Sequence, residues 1–304
     1  MTMTTSAPSE ATTRMADGTI LRTLHWAPDG EAWAAALVVH GLGEHGGRYG
    51  NVAHALTAAG IDVQAYDHRG FGGSAGRRAY VERWSQLHED LAERMRAVRA
   101  EHPRLPLVLY GHSMGGLIVL GYVLSETPLP MPDLLVLSAP GLDSEVPGWK
   151  RRLAATLTNV LPRMRIANGL AEDGLSRDPS VRALADADPL CLETSTVRFG
   201  AEAFAEQDRV RAAVARIDAL PVPTYVFHGS DDPIVPVAVS KPLEAKSHVT
   251  RRVHEGLRHE CHHEPEQAEV LAEVVAWIRA NAGSGSGSAS VAATEEPVPV
   301  GAAR

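Results

Sequence analysis

The chain predicts an α/β domain: a mostly parallel central sheet covered by helices on both faces, with a helical segment inserted near its middle. Three observations carry this. Short apolar runs with β propensity recur at 35–39, 62–66, 107–110, 134–137, 224–227 and 249–254. Stripes at helical spacing lie between them: Val52, Leu56 and Ala59 before a Gly60 stop; Leu87, Leu91, Met95 and Val98; and Val270, Val274, Trp277 and Ile278. The alternation fails from 141 to about 220, where proline, charge and helix formers accumulate. A structureless loop of about eighty residues is uncommon in a compact domain, so this segment is expected to be a helical cap over the carboxyl ends of the strands, where open α/β sheets bind ligands.

The domain plan follows. Residues 17–140 and 221–282 form the core, and 141–220 the cap. The polar, small stretch 1–16 and the Gly/Ser-rich tail 283–304 carry no amphipathic pattern and are expected to be disordered. Within the cap, 146–166 places Trp149, Leu153, Leu157, Val160 and Met164 at near-helical spacing, and Pro162 should end or bend that helix. Lys150, Arg151, Arg152, Arg163 and Arg165 are interspersed. Two readings stand: the stripe packs against its own domain, or it is a lid that touches a lipid surface transiently through its apolar face and cations.

Composition narrows the function. A chain of 304 residues with 44% hydrophobic content can bury a sizeable core. Its formal charge of −8 argues against a nucleic-acid partner, whose phosphates call for a basic field. Two cysteines seventy positions apart, Cys191 and Cys261, do not make a disulfide framework, and 1–22 lacks a basic start followed by an apolar run. A cytoplasmic setting is expected, peripheral at a membrane if the cap touches one. Cys191 reads as a small buried hydrophobe or an alkylation-sensitive thiol.

Chemistry enters at residues 111–115, Gly-His-Ser-Met-Gly, after the strand at 107–110 and before the apolar helix start. This is a nucleophile elbow: a serine on a sharp strand-to-helix turn needs small neighbours so that its hydroxyl can project. The pentapeptide alone occurs by chance in roughly one chain in ten of this length, so its strand-turn-helix setting decides. Ser113 is therefore the expected nucleophile. A serine hydroxyl needs a base, and the base a carboxylate, in the chain order nucleophile, acid, base. The loop His228-Gly-Ser-Asp-Asp232 after one strand offers two acids, Asp231 and Asp232, although paired aspartates before a proline are also good turn chemistry. His259, after the next strand, offers the base, one of 14 histidines singled out by position. The Gly-rich loop 40–49 follows the first core strand, and the main-chain N–H groups of Leu42 and Met114 are assigned as oxyanion donors. With no Gly-x-Gly-x-x-Gly and no P-loop lysine, the loop is not read as a phosphate cradle, and no cofactor is expected.

His40-Gly-Leu-Gly-Glu-His-Gly-Gly-Arg-Tyr49, Asp67-His-Arg-Gly-Phe-Gly-Gly-Ser74, Gly111-His-Ser-Met-Gly-Gly116, Ser176-Arg-Asp-Pro179 with Asp188-Pro-Leu190, and the His228 to Asp232 loop together resemble the monoacylglycerol lipase family of serine α/β-hydrolases. The resemblance spans roughly 17–281. It implies the α/β-hydrolase fold, hydrolysis of monoacylglycerol or a related lipid ester, Asp232 rather than Asp231 as the acid, His259 as the base, and Glu44, Arg48 and His262 around the glycerol group. Phe71-Gly72-Gly73-Ser74 departs from the family's common His-Gly-Arg-Ser, and Arg258 stands where a tyrosine is frequent. Both departures bear on the pocket's polar details. Lysophospholipase and broad carboxylesterase activities are the neighbouring alternatives.

A competitor overlaps the same histidine. His259-Glu260-Cys261-His262-His263 spells His-Glu-x-x-His, a zinc-peptidase pattern that requires one helix across all five residues. Gly256 before it and Pro265 after it make the segment a loop entering a helix, so no metal is assigned.

Overall fold

The computed structural model describes residues 7–144, 146–169 and 174–283. Its strands are β1 (Ser9–Arg14), β2 (Ile20–Trp26), β3 (Ala34–Val39), β4 (Ile61–Tyr66), β5 (Leu107–His112), β6 (Leu134–Ser138), β7 (Arg165–Ala167), β8 (Thr194–Thr196), β9 (Ala219–Gly229) and β10 (Ser247–His254). The helices are α1 (Gly50–Ala58), α2 (Ser85–Glu101), α3 (Met114–Val123), α4 (Gly148–Leu157), α5 (Pro179–Ala187), α6 (Val197–Arg216), α7 (Lys241–Glu244) and α8 (Gln267–Asn281). Eight strands form one sheet in the order β1-β2-β4-β3-β5-β6-β9-β10. It is parallel from β4 through β10 and antiparallel at the β1–β2 and β2–β4 pairs.

Strict side-chain alternation between two covered faces explains why β3, β5 and β6 read as apolar runs. Ala35, Leu37 and Val39 of β3 face the layer that holds Leu87, Leu91 and Met95 of α2 and the apolar side chains of α3. Ala34, Ala36 and Val38 face Val52 and Leu56 of α1 and Val270 and Val274 of α8. Both faces are covered, so β3 to β6 are buried along their whole length. The α/β-hydrolase architecture expected from the sequence is the observed one.

Two differences concern the boundaries. The stretch 1–16 was expected to be disordered, yet Ser9–Arg14 pairs antiparallel with β2 from Ser9↔His25 to Arg14↔Ile20. This edge strand is nearly all exposed and is held by its backbone ladder, which leaves no apolar pattern to read. The expected helix over 146–166 stops at Leu157, and by Arg165 the chain has become β7, paired with β8. Pro162 lies between the two elements. Residues 1–6 and 284–304, to which disorder was also assigned, lie outside the described residues. No helix among the described residues is long and apolar enough to cross a membrane.

Candidate active site

Ser113 stands between the end of β5 and the first residue of α3, at φ 51° and ψ −117°. A non-glycine residue pays about 1–3 kcal/mol for such a backbone, and here the surroundings impose it. Ser113 N donates to Ser138 O at 2.9 Å, while Ser113 O accepts from Gly141 N at 2.9 Å and Leu117 N at 3.1 Å. Two glycines make the bend sterically feasible: a Cβ on Gly115 would lie 2.0 Å from Val39 O, and one on Gly111 2.5 Å from Val119 Cγ2.

The loop after β3 lies against this elbow, close enough that a Cβ on Gly41 would be 3.4 Å from Ser113 Cβ. Glu44 fixes the loop from below, since its Oε1 accepts from Gly41 N at 2.5 Å and from Tyr49 OH at 2.6 Å. The amides of Leu42 and Met114 donate to no protein acceptor among the described residues. Those are the donors an oxyanion requires.

Asp232 and His259 meet across the two loops that follow β9 and β10. His259 Nδ1 donates to Asp232 Oδ2 at 2.7 Å, with both side chains almost fully buried. Asp231, the other acid of the pair, is exposed and accepts from Ser230 Oγ at 2.8 Å. The other oxygen of Asp232 accepts from Ile234 N and Val235 N at 2.8 and 2.9 Å. Burial alone would raise the Asp232 carboxyl; the His259 charge and the hydrogen bonds from His228, His259 and Val235 N outweigh it and hold it below the usual carboxylate range. An ionised Asp232 keeps the proton on Nδ1 of His259, which leaves Nε2 as an acceptor. The His259 ring lies 4.8 Å from that of His112, the residue before Ser113, so this imidazole is beside the elbow.

His228 opens the loop motif, and its sequence position assigns it no role. It donates from Nε2 to Asp232 Oδ2 at 3.0 Å and to Val235 O at 2.7 Å, while its Nδ1 faces Ser240 Oγ. Nothing in its spacing marked it, because a histidine ending a buried strand looks like any core position. His112 was likewise unassigned. Its Nδ1 is 3.0 Å from Ser138 Oγ, and burial pushes its imidazole well below the usual histidine range, so it stays neutral behind His259.

The expected glycerol-side trio is brought together, but in a deeper layer than a pocket wall requires. Glu44 is buried with both oxygens engaged, the second by Arg48 Nη1 at 3.0 Å. Arg48 also bridges to Glu260 at 2.8 Å and keeps a partly exposed guanidinium. His262 is fully buried, stacked on Tyr49 at 5.3 Å, and its Nε2 has no partner among the described residues. Burial pushes it well below its usual range, so it is neutral. Glu44 is drawn inward by its bonds to Gly41 N and Tyr49 OH, and His262 by its packing on Tyr49.

The His-Glu-x-x-His spelling does not form the helix it needs. Cys261–His263 is a single 3-10 turn, Glu264 is already extended, and His259 is held by Asp232. His263 turns instead to Glu260 at 2.7 Å and Arg48 O at 3.0 Å. Two other groups could place three ligand atoms together, Glu260/His262/His263 and His45/Asp188/Cys191. In the second, Gly47 N donates to His45 Nδ1, which puts the ring proton on Nε2, where it is given to Asp188 at 2.8 Å. Cys191 is half-buried rather than fully buried, and that burial pushes its thiol up to about 12.

Comparison with known proteins places this geometry. Residues 30–266 match the family model described as serine aminopeptidase, S33. A monoacylglycerol lipase of Mycolicibacterium smegmatis is 36% identical over 258 residues, 83% of this chain and 90% of the relative. The human monoglyceride lipase is 31% identical over 271 residues, 86% and 88% of the two chains. The crystal structure of a Paleococcus ferrophilus monoacylglycerol lipase superposes with a TM-score of 0.74 at 28% identity, covering 86% of this chain and 99% of that one. The chain belongs to the serine aminopeptidase S33 family of α/β-hydrolases and is monoacylglycerol lipase-like within it.

Proposed function

We propose that the protein hydrolyses monoacylglycerols to glycerol and a fatty acid through an acyl-enzyme on Ser113. Ser113 Oγ attacks the ester carbonyl as His259 Nε2 takes its proton; Asp232 orients the imidazolium; the Leu42 and Met114 amides hold the oxyanion, each worth about 3 kcal/mol in the transition state. His259 then returns the proton to the leaving glycerol oxygen, and water, deprotonated by the same ring, releases the acid. The single observation that carries this reading is the 2.7 Å His259–Asp232 bond beside a serine held at positive φ, with the Leu42 and Met114 amides unengaged by any protein acceptor among the described residues.

The ester class is supported by the relatives' names together with a polar layer on the alcohol side. Arg48, whose side chain is 13% exposed, offers its guanidinium to the glycerol hydroxyls, with the buried Glu44 and His262 supporting it from behind. Segment 141–220 acts as the cap and touches lipid surfaces through α4, where Trp149 and Leu153 are exposed beside Lys150 and Arg152.

One experiment tests the reading: turnover of monoacylglycerol, diacylglycerol, lysophospholipid and a short p-nitrophenyl ester by wild type and by Ser113→Ala, each with and without a chelator. Ser113→Ala should lose at least about 10⁴-fold in kcat on every ester. The chelator should change nothing, and monoacylglycerol should be the best substrate. An active alanine variant would sink the mechanism; preference for lysophospholipid would move the substrate to the neighbouring class.

A further inference from the structure

The loop that carries His259 is fastened on two sides. On the β9 side, Asp231 N donates to Leu257 O at 3.0 Å, and a Cβ on Gly229 would lie 2.1 Å from that same oxygen. On the other side the partners belong to the insertion between β6 and β9. His259 N donates to Gly174 O at 3.3 Å, Glu260 N to Leu175 O at 2.8 Å, and Arg258 Nη1 to Ser176 O at 3.1 Å. Glu264, with no exposed surface, joins the two sides. Its Oε1 accepts from Arg258 N at 2.6 Å, and its Oε2 from Arg177 N at 3.0 Å, Ser176 Oγ at 3.1 Å and Arg177 Nε at 3.2 Å.

We infer that Glu264 is a positioning residue for the proposed base: it clamps the His259 loop to the Ser176–Arg177 strip, so that the placement of the imidazole depends on the insertion as well as on the sheet. The inference rests on the reading of His259 as the base. Three successive amides, 258 to 260, point at the insertion or at Glu264, and none of them enters the sheet ladder. A loop without a ladder is held only by such partners. A carboxylate has enough lone pairs to serve both segments at once, and charge-assisted bonds are the strong ones. Asp232 fixes Nδ1 but leaves the ring free to tilt about that bond, whereas Glu264 grips the amide immediately before His259 and removes that freedom. The Ser176-Arg-Asp-Pro179 run thereby acquires a mechanical role.

The test compares full-length wild type with Glu264→Gln and Arg177→Met on a soluble p-nitrophenyl ester, with kcat normalised to the fraction of Ser113 labelled by a phosphonate. Glutamine keeps the size of Glu264 but presents an NH₂ donor where one carboxylate oxygen accepts. Glu264→Gln should lower kcat by about 100-fold and Arg177→Met by about tenfold, KM staying within about twofold, since sub-ångström misplacement of a reacting group acts on the chemical step. The downfield proton resonance of His259 Nδ1 should shift or broaden in both. The double variant should be no slower than Glu264→Gln, because both changes open one clamp. A folded Glu264→Gln enzyme with kcat within about twofold of wild type and an unmoved His259 proton overturns the inference. If that variant does not fold, Arg177→Met decides alone, an unchanged kcat overturning it. Activity that survives His259→Ala would instead sink the underlying reading, whatever the Glu264 variants do.

Discussion

The sheet core and the insertion at 141–220 are built from similar apolar periodicities with opposite outcomes. Every residue of α3 is buried, as is every residue of β3 to β6. Neither α4 nor α5 buries a single residue. Ten large apolar side chains are exposed among the described residues; Ile20, Met131 and Val253 lie in the core, and the other seven, led by Val160 at 74% and Leu184 at 70%, lie in the insertion. Spacing at i, i+3 and i+4 shows that a helix has an apolar face. It does not show what covers that face. In the core two layers close on the sheet, while in the insertion α4 rests on α6 and its outer stripe meets solvent.

The first way to break this contrast is a pair of matched truncations. Leu137, fully buried on β6, should destabilise the protein by about 3 kcal/mol as Leu137→Ala, from lost transfer energy and the cavity left behind. Leu153 on α4, 48% exposed, should change stability by less than about 0.5 kcal/mol as Leu153→Ala. Urea midpoints by intrinsic fluorescence read both. Equal losses would mean that the α4 stripe is covered, by a second copy of the chain or by another part of this one.

The same contrast explains what was legible in the sequence. Strands 35–39, 107–110 and 134–137 lie within a residue or two of their expected places, because burial on both faces leaves an unbroken apolar run; 62–66 does too, although Asp62 and Gln64 interrupt its pattern. The elbow was legible because the steric demands of its bend fall on Gly111 and Gly115. Three features were not. β1 is held by its backbone ladder and by polar contacts such as the Glu10–Arg22 ion pair at 2.6 Å, none of which leaves an apolar pattern. The choice between Asp231 and Asp232 needed the family resemblance, since both are equally good turn residues and only the fold turns one inward. Arg151 was grouped with the basic patch, but its guanidinium bonds Asp143, lies 3.5 Å from Asp208 and sits 4.9 Å above the Phe204 ring, so it belongs to the packing of the insertion. Charge composition gives no sign of that direction.

Arg151 sharpens the second test, which asks whether the exposed stripe serves a lipid surface. Replacing Lys150 and Arg152 with glutamine, and leaving Arg151 in place, removes two solvent-facing cations without loosening α4. At about 1 kcal/mol per cation near an anionic bilayer, partition onto phosphatidylserine vesicles should weaken roughly 30-fold, with turnover of a soluble short ester unchanged. Undiminished vesicle binding would leave the stripe without a lipid role, and a parallel fall in soluble turnover would show that the patch supports the site rather than the membrane.

Acid separates the two regions most finely. The insertion contains no histidine, whereas the core buries several. Burial lowers His40 to about 3 and His88 to about 4, and pushes His68, His112 and His262 well below the usual range. For His40 the geometry agrees: Nδ1 donates to Gly41 O and Nε2 accepts from His68 N, so the neutral ring is fully used. Between these depressed values and about 6.5 the unfolded chain binds protons that the folded core refuses, so stability falls as pH falls through that window, by up to about 1.4 kcal/mol per pH unit for each such histidine. His88 is the cleanest probe. It lines a cleft of about 560 Å³ at the opposite end of α3 from Ser113, together with Trp84, Glu206 and Arg209. His88→Gln should reduce proton uptake on unfolding between pH 4 and 6.5 by about one proton, read as a shallower fall of the urea midpoint. Leu153→Ala should leave that slope untouched, because the insertion titrates no histidine. An unchanged slope in His88→Gln would mean that this imidazole already takes up its proton in the folded state beside Glu206, 3.5 Å away, and that the core resists acid better than its buried rings predict.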